Sequence, residues 1–273
     1  MGLRIGTNIQ SLSAQRNLGN ATKALNRNFS HLSTGKRISS ASDDAAGLAI
    51  SARLQAQVRG LGAAVRNAND GISLVQTAEG GLAEIEGSLI RMRELAVQSS
   101  NGTLSASDRT NLQAEFSQLV SGIDQIANSS TFNGTNLLNS VAAITLQVGA
   151  GTTAGVDTLV VSSANVTATQ LSVGSSTVAN VAGASAAIVA VDAALDSVTT
   201  TRGAFGAAQN RLSSTVNATS IRLENLAAAN SRIIDVDVAR ETAELTKNQI
   251  LQQAALSILV QANGQPTSAL SLL

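Results

Sequence analysis

The 273-residue chain has no cysteine, one proline and one histidine, His31. It therefore cannot form disulfides or use thiolate chemistry, and it lacks the Cys and His ligands that zinc and copper sites usually need. We expect no metal site and no cofactor. His31 lies in an amphipathic segment and is interpreted as a structural or surface side chain.

Aromatic residues are also scarce. Four Phe make up the whole aromatic content, without Trp or Tyr, although 44% of the residues are hydrophobic. The apolar content is therefore mostly Ala, Val, Leu and Ile, which argues against a bulky globular core. Near-absence of proline permits long uninterrupted helices.

The sequence has no excess of charge of either sign, since 18 basic residues balance 18 acidic ones. Nucleic-acid binders usually carry a basic excess, so we expect none here, whereas zero net charge favours self-association. No continuous apolar run reaches the roughly 18 residues of a membrane span, so we expect no membrane insertion. The N-terminus lacks the hydrophobic core of a cleaved signal peptide.

Groups that could catalyse a reaction are sparse, and we predict that the protein is not an enzyme. The acidic pair Asp43 and Asp44 suits a helix N-terminus, with Ser42 as N-cap. Glu84 and Glu86 are interpreted as solvated or interfacial. Residues 149–154 fit a dinucleotide fingerprint, but a second strand follows them instead of a helix, so a hairpin loop is favoured.

Hydrophobic heptad spacing is the strongest positive signal and predicts coiled-coil helices. One seam comprises Leu54, Val58, Leu61, Val65, Ala68, Ile72, Val75, Leu82, Leu89 and Ala96, with Ile85 and Met92 beside it. An equally long segment, 184–226, keeps the same rhythm through Ala184, Ile188, Val191, Leu195, Val198, Arg202, Phe205, Gln209, Leu212, Val216, Thr219, Leu223 and Leu226. The interior glycines are interpreted as close-packing contacts: Gly60, Gly62, Gly71, Gly80, Gly81 and Gly87.

Between these segments the pattern changes. A capping box at Ser105 predicts another helix, which ends near Asn128. Apolar residues then alternate with period two in 144–148, and a glycine-rich loop leads to a second apolar segment, 158–161, which together predict a β-hairpin. Residues 162–180 have no clear period and are expected to be irregular or weakly extended.

Two amphipathic segments, 5–32 and 240–263, lie outside the heptad region, the second closed by Asn263-Gly264. No charged residue occurs from 248 to 273, and apolar residues lie on every side of this helix. Because one partner helix cannot cover it, the remainder is expected to pack against other copies. The predicted assembly seam is Ile5, Ile9, Leu12, Leu25, Leu251, Ala255, Ile258, Leu259 and Ala262.

These patterns predict a mainly α protein. We expect an antiparallel long-helix rod, a coiled-coil-like bundle with a small β-hairpin region, plus paired N- and C-terminal helices. The predicted segments are 1–42, an N-terminal core helix and linker; 43–230, the rod, with its hairpin region at about 140–180; and 231–273, a C-terminal core helix.

Several ordered motifs lie in both halves of the chain. They are LSTGKRISSASDDAAGLAI at 32–50, NANDGI at 67–72, RELAVQ at 93–98, SRIIDVD at 231–237, QILQQA at 249–254 and QAN at 261–263. Together they resemble the motifs of bacterial flagellins. The resemblance covers roughly 5–138 and 203–273. Flagellins usually carry large outer domains in between, so it implies a minimal form without them.

The resemblance implies a structural subunit that self-assembles into the extracellular helical filament of the bacterial flagellum, for swimming motility. The terminal helices would pair and line the inner tube. It implies export through the flagellar type III apparatus without a cleaved signal peptide. The implied partners are further copies of the chain, an export chaperone at the C-terminal segment, a filament cap protein and a hook-filament junction protein.

The resemblance also implies a contact for a vertebrate innate immune receptor at Leu89, Arg91, Leu95 and Glu115. Heptad spacing predicts that Arg91 points away from the seam, free to donate hydrogen bonds. The alternative is that Arg91 and Glu115 make lattice contacts or are merely solvated.

Two other functions stay open at this point. A hook-filament junction protein shares the terminal signatures, usually with looser agreement through the rod. A free-standing helical coiled-coil module for signalling or adhesion would explain the heptads but not the uncharged C-terminus.

Overall fold

Helix dominates the chain. The computed structural model of the protein describes residues 7–270, with side chains as far as residue 264. Five helices and four strands lie in that range: α1 (Ile9–Thr34), α2 (Ala45–Ser99), α3 (Ala106–Ser129), β1 (Thr131–Phe132), β2 (Thr135–Asn136), β3 (Ala143–Gln147), β4 (Thr158–Ser162), α4 (Val181–Ile234) and α5 (Val238–Leu270). The predicted class, mainly α with a small hairpin region, is confirmed.

The chain divides into two compact units. The terminal unit comprises Met1–Gln57 and Asn225–Leu273, and the central unit comprises Val58–Glu224. Helices α2 and α4 contribute to both. The sequence-based segments had instead grouped 43–57 and 225–230 with the rod.

Side chains cap the starts of α2 and α3. The capping box at α3 is present as predicted: Ser105 Oγ accepts the Asp108 N–H at 3.2 Å, and the Asp108 carboxylate accepts the Ser105 N–H at 3.0 Å. At α2 the predicted cap, Ser42, is wrong. Asp44 Oδ1 accepts the Gly47 N–H at 2.8 Å, because α2 begins only at Ala45 and Ser42 lies in the preceding turn.

Two antiparallel hairpins follow α3. The predicted one is confirmed by β3 and β4, which pair from Ala143–Ser162 to Gln147–Thr158. A second, tighter hairpin joins β1 to β2 and was not predicted. Its turn residues, Asn133 and Gly134, have φ of 48° and 78°. Asn-Gly suits this turn because both central residues need positive φ.

The core of the central unit is a heptad seam on α2. The buried positions step by three and four without interruption: Leu61, Ala64, Ala68, Gly71, Val75, Ala78, Leu82, Ile85, Leu89, Met92, Ala96 and Ser99. The predicted seam was right at Leu61, Ala68 and Val75. It was wrong at Val65 and Ile72, which are half-buried, because smaller residues beside them take the central positions and let neighbouring elements approach closely.

Helix α4 repeats this preference for small residues. Its predicted positions Val191, Val198, Phe205 and Leu212 are buried, among others. Ala187 and Ala194 are buried, whereas their predicted neighbours Ile188 and Leu195 only border the core. Ile188 and Leu195 therefore cover the edges of the packed seam.

The interior glycines of α2 divide into two groups. A Cβ on Gly81 would lie 2.6 Å from Ser130 Oγ and 2.7 Å from Leu138 Cδ1, so this glycine is a close-packing contact as predicted. Gly80 and Gly87 face open space, and for them the prediction was wrong.

Residues 163–180 contain turns and isolated bridging rather than a strand ladder, in line with the predicted irregularity. They nevertheless contribute buried apolar residues: Val166, Ala168, Leu171, Val173 and Val178. Two side chains of α3 hold the segment. Gln113 Oε1 accepts the Val178 N–H at 2.6 Å, and Asp124 Oδ1 accepts the Ala168 N–H at 2.8 Å. These side-chain hydrogen bonds hold residues 163–180 in place without a strand ladder.

Helix α4 is also notably apolar. It contains an 18-residue window with a mean hydropathy of 1.6, long and apolar enough by composition to cross a membrane. The expectation based on continuous apolar runs had not identified it, since polar residues interrupt the runs. Val191, Val198 and Leu212 of this helix are buried in the central unit, while 28% of the apolar window as a whole is buried.

In the terminal unit, a short linker connects α1 to α2. Gly35 ends α1 with φ of 67°. The chain then pairs with the residues before α5: the Arg37 N–H donates to the Ile234 carbonyl at 2.6 Å and the Val236 N–H to the Gly35 carbonyl at 3.0 Å. Ile38 is buried beneath this pairing, which ties the end of α1 to the start of α5.

Candidate assembly interface

Helices α1 and α5 meet along a seam of small and polar residues, which we call the terminal seam. Its buried α1 positions are Ser11, Ala14, Asn28 and His31. Its buried and half-buried α5 positions follow one heptad: Glu241, Leu245, Asn248, Gln252, Ala255, Leu259 and Ala262. Because large aliphatic residues are few, the contact removes little apolar surface from water.

Hydrogen bonds fix one end of the terminal seam. Glu241 Oε1 accepts a bond from Asn28 Nδ2 at 3.0 Å and lies 3.0 Å from His31 Nδ1. Asn28 Oδ1 in turn accepts from Asn248 Nδ2 at 3.0 Å. His31 therefore has a structural role, as predicted. Sequence reasoning missed its partners, although their polar side chains at heptad positions were a usable signal.

The other end of the terminal seam is held by Asn8 and Ser11. Asn8 Oδ1 accepts the Ser11 N–H at 3.0 Å and so caps α1, while its Nδ2 donates to the Ala262 carbonyl at 2.7 Å. Ser11 Oγ donates to Asn263 Oδ1 at 2.7 Å. The predicted end of α5 at Asn263-Gly264 is wrong, because the helix continues to Leu270.

Large aliphatic side chains face away from the terminal seam. On α5 these outward residues are between 47% and 73% exposed: Ile250, Leu251, Leu256, Ile258 and Val260. On α1 the exposed large apolar residues are Ile9, Leu12 and the aromatic Phe29. We call these eight residues the outer apolar face. The arrangement inverts that of an ordinary two-helix contact, and such exposed apolar surface is typical of an interaction site.

The residues predicted as one assembly seam lie in different environments. Ala255 and Ala262 are buried in the terminal seam, and Leu25 and Leu259 are half-buried. Ile9, Leu12, Leu251 and Ile258 belong to the outer apolar face, and Ile5 lies outside the described residues. Leu251 and Ile258 are therefore more exposed than Ala255 and Ala262, although Leu251, Ala255 and Ile258 line one groove. Their grouping as an assembly seam stays a prediction.

A groove of about 450 Å³ runs beside the terminal seam. Its floor is made of small side chains, including Ala21, Ala24 and Ala254, and Leu251 and Ile258 lie at its lining. Its volume is sufficient for aliphatic side chains of another helix. The groove extends the outer apolar face into a concave surface.

The residues predicted to contact an immune receptor lie in the central unit. Leu89 and Leu95 are fully buried in its core. Arg91 is exposed, as predicted, but it is not free: its Nη2 lies 2.8 Å from Glu115 Oε1 and its Nη1 lies 2.9 Å from Glu94 Oε2. Only Arg91 and Glu115 of the predicted set therefore present side chains at the surface.

Further ion pairs join α2 to α4. Arg202, predicted at a seam position, reaches Glu79 at 3.4 Å and also pairs with Glu86. The hydrogen bond with Glu86 raises the pKa of Arg202 above its usual value. Arg93 Nε donates to Asp192 at 2.6 Å. These pairs could not be predicted from local sequence patterns, because their partners come from distant parts of the chain.

The glycine-rich residues 149–154 form the loop between β3 and β4. Gln147 Nε2 donates to the carbonyls of Gly149 and Gly151 at 2.9 and 2.7 Å. Strand β4 follows, so the hairpin interpretation is confirmed and the loop does not open a helix as a dinucleotide site requires. Among residues 7–270, no group of three His, Asp or Glu side chains is placed to hold a metal ion.

Comparison with known proteins identifies the family. Residues 5–143 match the model of the bacterial flagellin N-terminal helical region, and residues 188–273 match that of the C-terminal helical region. A flagellin of Halalkalibacterium halodurans is 44% identical over 98% of this chain and 99% of its own length. A flagellin of Bacillus subtilis is 41% identical over 99% of this chain and all of its own length.

Solved structures agree. Bacillus cereus flagellin matches with a TM-score of 0.51 and 33% identity, over 60% of this chain and 94% of its own. A flagellar hook-associated protein of Vibrio parahaemolyticus shares the fold at 16% identity, with a TM-score of 0.59 over 71% of this chain and all of its own. Since full-length relatives are flagellins, the hook-junction alternative is not favoured. The chain belongs to the bacterial flagellin family and is a structural subunit of the extracellular flagellar filament.

Proposed function

We propose that the terminal helix pair is the element through which copies of this chain pack in the filament, with the outer apolar face as the contact surface. The observation that carries this proposal is the exposure of the five α5 residues of the outer apolar face, while Ala255 and Ala262 are buried in the terminal seam. Their side chains have too few apolar neighbours within the chain to be buried there.

Burial of the outer apolar face would favour assembly. Full burial of a large aliphatic from an exposed state contributes about 1.5–3 kcal/mol, and the five residues on α5 are about half exposed, so together they offer roughly 4–9 kcal/mol per subunit before ordering costs. Ordering side chains and helices offsets part of this gain. The net effect is a lattice contact that forms only where neighbouring copies supply apolar partners.

Ile258→Asp tests this proposal. An unpaired charge buried in the lattice costs several kcal/mol in every subunit, so we expect a folded monomer that does not elongate filament seeds. Ile258→Leu, which keeps size and apolarity, is the matched control and should elongate normally. Sedimentation and negative-stain microscopy measure the outcome. Filaments of normal length from Ile258→Asp would contradict the proposal.

We also propose that an export chaperone covers the C-terminal segment before export through the flagellar type III apparatus, and that the cap and hook-filament junction proteins receive the subunit outside. The exposed apolar residues of α5 support a protective partner, because they would otherwise aggregate. Co-elution with the purified chaperone should be lost in Ile258→Asp and kept in Ile258→Leu. Equal co-elution of the two variants would place the chaperone contact elsewhere.

A receptor contact at Arg91 and Glu115 is a second proposal, supported by the exposure of this ion pair. A receptor carboxylate would have to compete with Glu94 and Glu115 for the guanidinium. In a reporter-cell assay with monomer, Arg91→Ala should reduce the response, whereas Arg93→Ala, an equally exposed neighbour paired with Asp192, should not. An inert wild-type monomer or equal effects would remove Arg91 from this role.

A further inference from the structure

The Ala262 carbonyl has lost its helical donor. In an α-helix the carbonyl of residue i accepts the N–H of residue i+4, which for Ala262 is Pro266. Proline has no N–H. Yet α5 continues through this position to Leu270, and Ala262 is 5% exposed, so its surroundings exclude most water. An acceptor buried without a partner is costly, and the helix needs a substitute donor here.

Asn8 supplies that donor from the other terminal helix. Its Nδ2 donates to the Ala262 carbonyl at 2.7 Å, while its Oδ1 accepts the Ser11 N–H and caps α1. The two ends of one amide group thus satisfy two unpaired backbone groups, one at the start of α1 and one inside α5. The adjacent bond from Ser11 Oγ to Asn263 Oδ1 reinforces the junction.

We infer that Asn8 is a positioning residue for filament assembly, which registers the start of α1 against the proline-interrupted turn of α5. The inference rests on the proposed role of the terminal helix pair. Ile9 and Leu12 follow Asn8 directly on α1, and Ile258 and Val260 precede Ala262 on α5. Fixing this junction therefore sets which aliphatic residues the two helices present together on the outer apolar face.

A cycle of four proteins tests the inference: wild type, Asn8→Ser, Pro266→Ala and the double variant. Serine still caps α1 but is too short to reach across and donate. We expect Asn8→Ser to raise the critical concentration for elongation on wild-type seeds about fivefold. Pro266→Ala restores the helical N–H, so in that background Asn8→Ser should change the critical concentration less than about twofold.

Asn26→Ser, at an exposed site on α1, is the matched control and should elongate like wild type. The inference is overturned if Asn8→Ser elongates like wild type. It is also overturned if Asn8→Ser raises the critical concentration by the same factor with and without Pro266→Ala. Hydrogen exchange of the backbone amides of 258–264, measured in the four monomeric proteins, tests the same coupling in the absence of filament contacts. A wild type that fails to elongate contradicts the proposed function, while the exchange cycle still decides the role of Asn8.

Discussion

Asp43 shows how one exposed carboxylate organises a turn. Its Oδ2 accepts the N–H groups of Ser40 and Ser39 at 2.9 and 3.1 Å, and it also accepts their hydroxyls. These bonds, those from the backbone above all, lower the pKa of Asp43 from 3.8 to about 2. Asp44 beside it caps α2. Asp43 therefore holds the turn, and Asp44 caps the helix that follows it.

The lowered pKa predicts a pH dependence of this turn. Because the folded-state pKa lies below the ordinary value, the ionised form stabilises the turn above about pH 4, and this contribution is lost as the pH falls through about 2. NMR of the Ser40 amide should titrate with a midpoint near 2. Asp43→Asn should abolish the transition. A midpoint near 3.8 in the wild type would contradict the assigned hydrogen bonds.

In the terminal seam, polar side chains rather than apolar ones determine how α1 pairs with α5. Asn8, Asn28 and Asn248 each bridge α1 and α5. Such bonds are directional, so they define the register of two helices whose apolar contact is too small to define it. The large aliphatics are thereby left available for other copies.

At the scale of the element, small residues determine how α2 packs. Alanine and glycine occupy four of the five seam positions from Ala64 to Ala78. Other elements also approach small residues beside the seam closely, as Leu138 and Ser130 do at Gly81. Gly80, one residue earlier, faces open space. Substitution should therefore have opposite effects on stability at these two neighbouring glycines.

We predict opposite signs for the same substitution at these two positions. Gly80→Leu should stabilise the protein by up to about 1 kcal/mol, because leucine favours helix over glycine. Gly81→Leu gains the same propensity but overpacks the contact with Leu138, at a cost of about 1–3 kcal/mol. Urea unfolding of the full chain, followed by circular dichroism, should place Gly81→Leu below Gly80→Leu. Equal stabilities would contradict the packing at Gly81.

On the scale of the whole molecule, the two units retain their structure by different means. The central unit has a continuous apolar core that joins α2, α3, α4 and residues 163–180. The terminal unit relies on a seam of small and polar residues and leaves its aliphatics exposed. Local opening costs less where fewer apolar contacts are broken. The terminal unit should therefore open more readily in the monomer.

Limited trypsinolysis can measure this difference. Lys247 in α5 and Arg91 in α2 have comparably exposed side chains, 64% and 49%, so cleavage rates should report local opening. We expect cleavage after Lys247 to be at least about tenfold faster in the monomer, a difference of about 1.4 kcal/mol. Filament assembly should suppress it. Equal rates at both sites in dilute monomer would contradict the prediction, because the terminal unit would then resist opening without filament contacts.

Much of this protein follows from local sequence. Heptad spacing specifies the long helices, Ser105 and Asp108 specify a capping box, and the motif at 32–50 indicates the flagellin family. These are short-range patterns, which depend on backbone geometry and on neighbours a few residues away. The same reasoning located α1, α3 and the hairpin of β3 and β4.

Only the tertiary structure decided which of two adjacent stripes is buried. Consecutive helix residues differ by about 100°, so a heptad pattern fits Val65 nearly as well as Ala64, and Leu256 nearly as well as Ala255. The partner surface makes the choice: alanine fits where backbones approach closely, and the larger neighbour is displaced to the edge or to the outside. For the same reason the bond from Asn8 to Ala262 could not be foreseen, because its partners are 254 residues apart.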